Sequence, residues 1–327
     1  MLSIFRTNQF FVSIFLFIYI VIVRSMTFVA PMPVSVSNQG IWGRWLLENT
    51  QPSSLSMAIA AVVLVFVQAL LLNRLVAQYR MADEITLLPG LFYILLSGMI
   101  PEFQTLTPLL VANTFYILLL IEFFRIYRTP NVADTIFNTG IFIALASLFY
   151  FSFIILLLWA FITLSVLRVF NLKETLMILS GFLVVYFLTG VFYFWYDALG
   201  LFYQQQFVDN IKFFDLKIIN TWPTYISRIL FVALLVIVIL SYSIYNFKRN
   251  IQVQKYLTVL YWGIFISILP ILFQAGLGME QLLIFTVPLA IFVSFNFTKI
   301  STSAAEAIHL LWLAAVLALH YHSYLGF

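Results

Sequence analysis

Arg44 and Glu48 stand four residues apart, beside Trp42 and Trp45, in the polar stretch PMPVSVSNQGIWGRWLLENTQPSSLS, residues 31–56. On a short helix at a membrane surface, such a carboxylate can take a proton from an acceptor hydroxyl while the guanidinium holds a phosphate. The other reading is a plain i,i+4 ion pair on an interfacial helix. Glu102 is the second acid that could meet Glu48 above the early hydrophobic runs. Arg24 and Arg228 lie within or at the ends of such runs. A cation there must snorkel, pair with a carboxylate or bind a phosphate. With Arg44 they make a candidate cradle for a polyprenyl phosphate or phospholipid headgroup. Glu306 and His309, three apart, share a helix face and suit a proton relay or half of a metal site. No second such pair completes a metal site, and a solvated helix end near Lys299 is the competing reading. His320 and His322 read as part of a C-terminal tail.

The elements that must position these residues are membrane helices. Of 327 residues, 64% are hydrophobic and 9% charged, against about 25% charged in soluble domains. Charge is costly in hydrocarbon, so most of this chain belongs in lipid or against other spans. The 36 Phe serve as bulky helix surface, and the 17 Tyr and 7 Trp add rings suited to the headgroup level. With no cysteine, disulfides and thiolate chemistry are excluded. The net charge of +4 is scattered at the ends of apolar runs rather than gathered in a patch, so nucleic acid is not an expected partner.

Eleven runs are long enough for a crossing: 10–29, 57–75, 85–100, 106–124, 132–149, 151–167, 175–196, 226–246, 256–274, 281–297 and 304–321. The third is short and carries Pro89 and Gly90; the fifth and sixth form one apolar stretch, divided here at Tyr150. Only Arg6 precedes the first run and no small-residue cleavage site follows it, so it reads as a retained span. With the N-terminus inside, the cytoplasmic set is Arg6, Arg74, Arg80, Arg125, Arg128, Arg168, Lys173, Lys248, Arg249, Lys255 and Lys299. Arg24, Arg44, Lys212, Lys217 and Arg228 remain for the outside. That asymmetry is what positive-inside topology requires. The expected fold is therefore all-α, a polytopic protein of about eleven transmembrane helices, N-terminus cytoplasmic and C-terminus external.

Two outer segments are long enough to carry function, the loop 30–56 and the connection 197–225 with Asp197, Asp209 and Asp215. The second divides the chain into a seven-span front, 1–196, and a four-span back, 226–327. Inner loops are short and no Gly-rich phosphate loop occurs, which excludes ATP hydrolysis in this chain. Pro89, Pro108, Pro270 and Pro288 could break helices, yet isolated prolines are common in membrane helices. The segment NLKET, residues 171–175, reads as a helix start.

In its order, the front of the chain resembles the membrane core of the GT-C glycosyltransferases over residues 1–190. The features are a span, an outer loop, a span ending in NRL at 73–75, an aromatic short span ending at Pro101-Glu102, IEFFRIYR at 121–128, and a restart at NLKETLMILSGFLVVYF. The resemblance implies a polyprenyl-phosphate-sugar donor as the one cofactor-like ligand, an active site in the first outer loop, Glu48 as base and Glu102 as second acid. The chain departs from that family in offering Glu48 beside Arg44 where an aspartate is usual, and in having no large soluble C-terminal domain. The whole chain, ending in KISTSAAEAIHLLWLAAVLAL, also resembles a polytopic membrane protein family of Bacteroidetes-type bacteria that brings no established activity. The leading expectation is a non-catalytic subunit or scaffold in the bacterial inner membrane, with an outer-leaflet lipid-phosphate groove and membrane lipids or other envelope proteins as partners. The alternatives are a polyprenyl-phosphate-sugar-dependent glycosyltransferase, and a lipid flippase or secondary transporter. Because the chain has no cysteine of its own, one placed at Asn38 reports cleanly on sidedness. It should react with an impermeant thiol reagent added to intact cells, and protection there would overturn the orientation.

Overall fold

The structure is a computed structural model that describes residues 2–6, 11–29, 39–50, 54–100, 103–211, 222–247, 249–273 and 279–325. Among these the regular elements are all helices, and one antiparallel bridge joins Gln39 to Tyr150. In chain order the main helices are α1 (Val12–Val23), α2 (Ile41–Glu48), α3 (Leu55–Gln78), α4 (Leu88–Met99), α5 (Pro108–Ile126) and α6 (Ala133–Phe149). They continue as α7 (Leu156–Leu167), α8 (Leu172–Trp195), α9 (Leu199–Tyr203), α10 (Trp222–Leu240), α11 (Ile251–Phe273), α12 (Thr286–Lys299) and α13 (Thr302–Leu325). Glu102, Lys212, Asp215, Lys217 and Lys248 fall outside the described residues.

Six stretches among the described residues are long and apolar enough to cross a membrane: α3, α5, α8, and parts of α11, of α12 with the turn before it, and of α13. This is the build of a multi-pass membrane protein. The other sequence runs fold as shorter apolar helices, α1, α4, α6, α7 and α10. The 24 residues of α3 rise about 36 Å, whereas a 12-residue helix such as α4 rises about 18 Å. The hydrocarbon layer is about 30 Å thick, so the helical part of α4 by itself is shorter than a full crossing.

Local sequence sets many of the boundaries. The hydroxyls of Ser54 and Thr107 accept from the N–H groups of Met57 and Leu110, and the Asn171 side chain accepts from Lys173 N–H at 3.0 Å. Each satisfies one of the orphan donors of a helix start. NLKET is thus the start of α8. Pro108 opens α5, and Pro89 sits in the first turn of α4, where a missing N–H costs nothing. The long apolar stretch breaks at Tyr150: α6 ends at Phe149, Tyr150 is extended, and a tight turn at Phe151–Ile155 leads into α7.

At the centre lies α4, in which every residue from Leu88 to Met99 is buried. It packs against α3, α12 and α1, with α10 and α13 also touching it. A helix apolar on all sides belongs inside a bundle. By contrast α8 and α13 leave most of their apolar surface exposed, as helices at a lipid boundary do. Two glycines set the tightest crossing. A Cβ at Gly140 of α6 would stand 2.0 Å from the Ile178 carbonyl oxygen of α8, and one at Gly181 of α8 would stand 2.2 Å from that of Phe137. Small residues let membrane helices approach to backbone contact. At the end opposite the N-terminus of α2, Asp83 pairs with Arg249 and Arg168 with Glu174 at 3.3 Å.

Gly140→Leu should therefore push α6 and α8 apart. The expected cost is about 3 kcal/mol or more, since the obstacle is backbone rather than a movable side chain. A thermal unfolding scan of the variant in detergent checks this, against Gly190→Leu, whose Cβ position has nothing within 4 Å.

Candidate functional site

The two long polar segments, 30–56 and 197–225, meet through their described residues. Helix α2 lies on the end of α6 and is held there by the chain after α8. Close approach depends on glycine: a Cβ at Gly40 would stand 2.1 Å from the Leu148 carbonyl oxygen, and one at Gly43 would stand 2.2 Å from that of Phe149. The Gly40 N–H donates to Phe149 O at 3.0 Å. Trp42 meets the Phe149 ring edge-on at 5.6 Å, and Ile41, Leu148 and Phe202 form a small apolar cluster beneath.

The chain reaches this place by a reversal after α8. Asp197 adopts a left-handed φ of 53°. Its N–H donates to Phe194 O, and the next N–H, of Ala198, donates to Tyr193 O. These are the paired bonds of a Schellman helix end. The turn delivers α9 and a π-helical turn at Gln204–Val208. There Gln206, fully buried, has every amide group engaged. Its Oε1 accepts from Ile41 N–H at 2.8 Å, and its Nε2 donates to Ser147 O at 3.1 Å and to the Tyr186 hydroxyl at 3.0 Å. Tyr186 and Ser147 hydroxyls are 2.8 Å apart, and Ser147 donates onward to Ala144 O. Asn210 donates to Gln39 O at 3.0 Å.

Arg44 pairs across this junction with Asp209 at 2.9 Å, both side chains about a quarter exposed. The expected alternative of an i,i+4 pair with Glu48 gives way to a partner on the second outer segment, because α2 turns its Arg44 face toward that segment. Glu48 is exposed at the end of α2, near enough to Tyr193 for its charge to be felt there.

Arg24 is fully buried. Its guanidinium donates to the carbonyls of Gln104, of Phe103 at 3.0 Å and of Ser97 at 3.4 Å. Ser97 lies in the last turn of α4, so the cation sits at the negative end of that helix and fills carbonyls that a helix end leaves open. Gln104 extends the cluster. It accepts from the Thr27 hydroxyl at 3.1 Å and donates toward Val23 O, Gly98 O and His320 Nδ1, the last at 2.8 Å. Arg228 is buried on α10, three residues before Phe231, whose ring meets Phe103 at 6.2 Å. Of the three arginines of the expected phosphate cradle, Arg24 thus serves the end of α4 and Arg44 the Asp209 junction.

His309 is buried and its Nε2 lies 2.9 Å from the Tyr19 hydroxyl, with the two rings stacked. Glu306 accepts from the Ser3 N–H at 3.2 Å. Among the described residues no cluster of three or more His, Asp and Glu could hold a metal. The expectation of a loose tail at His320 is corrected: it is 3% exposed, inside α13, and bonded to Gln104. Gln104 and Gln206 carry no charge and titrate with no proton, so a reading that follows acids, bases and cations passes over them. Their signal is an amide or imidazole in a chain this poor in polar groups. No family model, no curated protein and no solved structure matches this chain.

Arg24→Ala should cost about 3 kcal/mol or more, because it strands buried carbonyls at about 1–3 kcal/mol each. Gln206→Leu should cost about 2 kcal/mol by the same reasoning. Asp209→Asn, which breaks a partly exposed pair, should cost less than about 1 kcal/mol. Thermal unfolding of the three variants in detergent gives the ranking, and Asp209→Asn as damaging as Gln206→Leu would overturn it.

Proposed function

We propose that this chain is a non-catalytic membrane subunit or scaffold of a bacterial inner membrane, crossing eleven times with its N-terminus inside and C-terminus outside. The observation that carries the scaffold reading is the use made of its polar residues. Arg24 is bound to carbonyls at the end of α4, Arg44 to Asp209, and Gln104 and Gln206 to backbone on neighbouring helices. Groups that would hold or activate a substrate are instead holding helices to one another. The sidedness draws support from which loops meet. Arg24 with Gln104, Arg44 with Asp209 and Tyr321 with Ser25 join segments assigned outside. Arg6 with Phe297 and Ile300, Asp83 with Arg249 and Lys255 with Val166 join segments assigned inside.

The junction of α2 with the 199–211 segment then serves as an outward platform. Trp45, 62% exposed, and Glu48 project from it, and an exposed aromatic beside a charge is the composition of a contact surface. The glycosyltransferase reading keeps one specific observation in its favour, the open carboxylate of Glu48 on that same platform. A GT-C-like fold with a polyprenyl-phosphate-linked sugar as donor is what that second reading requires.

A deletion strain carrying Glu48→Gln at normal abundance separates the two. The scaffold reading expects full complementation, and loss of complementation assigns Glu48 a chemical role. Mild-detergent purification of the tagged chain should also bring down a membrane or envelope protein, and Trp45→Ala should weaken that association; a chain that purifies alone counts against the scaffold.

A further inference from the structure

Alongside the last turns of α8 runs a segment that exposes apolar side chains. The chain reverses at Asp197, and Phe202 then stacks on the Tyr193 ring at 5.6 Å. Gln206 reaches the hydroxyl of Tyr186, nine residues back from the end of α8 at Trp195. The 199–211 segment therefore returns along the helix it has just left and does not depart from the bundle.

Its depth follows from α6. The helices α6 and α8 run the same way, since Gly140 meets Gly181 and, further along both, Ser147 meets Tyr186. α6 ends at Phe149, nine residues past Gly140, and α8 at Trp195, fourteen past Gly181. The excess of five residues carries the end of α8 about 7.5 Å beyond the end of α6. Both α2 and the 199–211 segment rest on that lower end. A hydrocarbon layer of about 30 Å takes about 20 residues of helix. Counted along α8 from Thr175, just past the charges of Lys173 and Glu174, it reaches the neighbourhood of Trp195.

The segment is built for that level. Backbone polar groups beside lipid must be satisfied within the protein. Here Phe202 N–H donates to Ala198 O, Asp209 N–H donates to Gln204 O in the π-helical turn, and the Asn210 amide donates to the carbonyls of Gln205 and Gln206. Phe202, Gln206 and Asn210, spaced by four, are buried against the bundle, whereas Leu199 and Tyr203, also four apart, are exposed. Asp209 holds Arg44 where water still reaches both. Leu199 and Tyr203 follow directly on Trp195, which is 82% exposed. Trp and Tyr join an apolar ring to one polar group, which suits them to the boundary between acyl chains and headgroups.

We propose that the 199–211 segment is an interfacial insert, with Leu199 and Tyr203 in contact with phospholipid at the boundary of acyl chains and headgroups, in line with Trp195. The α2 platform then lies at headgroup level, and whatever meets it does so at the membrane surface. Contact with lipid here follows from the multi-pass build and is independent of either reading of Glu48.

Because the chain has no cysteine, single spin labels test this on the full protein in vesicles of phosphatidylethanolamine and phosphatidylglycerol. The labelled variants are Leu199→Cys and Tyr203→Cys, with Phe187→Cys in the middle of α8 as the lipid reference and Glu84→Cys in the turn after α3 as the water reference. All four side chains are exposed, so each substitution removes little packing. Collision rates are read with oxygen, which concentrates in lipid, and with a water-soluble nickel chelate present on both sides. The oxygen-to-nickel ratio at Leu199→Cys and Tyr203→Cys should be severalfold above that of Glu84→Cys and approach that of Phe187→Cys. A ratio equal to that of Glu84→Cys places this side of the segment in water and overturns the proposal. Low collision rates with both reagents, against both references, place a second copy or another protein over it and overturn the proposal as well.

Discussion

A helix that ends inside an apolar bundle has to find partners there for the backbone groups its ends leave open. For α4 this requirement governs the arrangement around it. Four N–H and four C=O groups are orphaned at the two ends of any helix, and in hydrocarbon each unsatisfied group costs several kcal/mol. Asn73 supplies an acceptor at one end and Arg24 a fork of donors at the other. Their positions in turn fix where α3 and α1 lie against α4. A cation is the right group for the second task, since a helix C-terminus carries partial negative charge. A buried arginine that looks like a ligand site in sequence is here the complement of a peptide dipole.

The junction of α2 with the 199–211 segment follows the same logic at larger scale. α2 is only eight residues long and cannot hold itself in place by propensity. It is held because Gly40 and Gly43 allow backbone contact with α6, and because Gln206 completes the hydrogen bonding that so close a contact disturbs. Each glycine without the amide would leave open polar groups; the amide without the glycines would lack a surface to meet. The Arg44–Asp209 pair adds register more than stability, being partly in solvent.

Much of the helix pattern was legible beforehand. Runs of apolar residues located the helices, the break at Tyr150 and the start at Asn171, because these are local matters of length and capping. The charge asymmetry grouped loops that do meet. What could not be read was partner choice. Arg44 has Glu48 one turn away and takes Asp209 instead, 165 positions along the chain. Nothing local distinguishes the two acids, since the choice depends on which face of α2 rests on α6. His320 was misjudged for a similar reason: closeness to the chain end suggested a tail, while an imidazole among apolar residues needed a buried partner and found Gln104. The sequence singled out the polar stretch that holds Glu48; its tie to the 199–211 segment became visible only in three dimensions.

The cluster around Arg24 also orders events during synthesis. Domains and helices emerge from the N-terminal side first, so α1 enters the membrane while its arginine has no acceptor. The carbonyls of Phe103 and Gln104 arrive some 80 residues later, and His320 a further 216 after Gln104. Until then the guanidinium can remain wetted only by reaching for the headgroups. Burial of Arg24 thus waits for the chain through Gln104, and α13 later covers the joint when His320 meets Gln104.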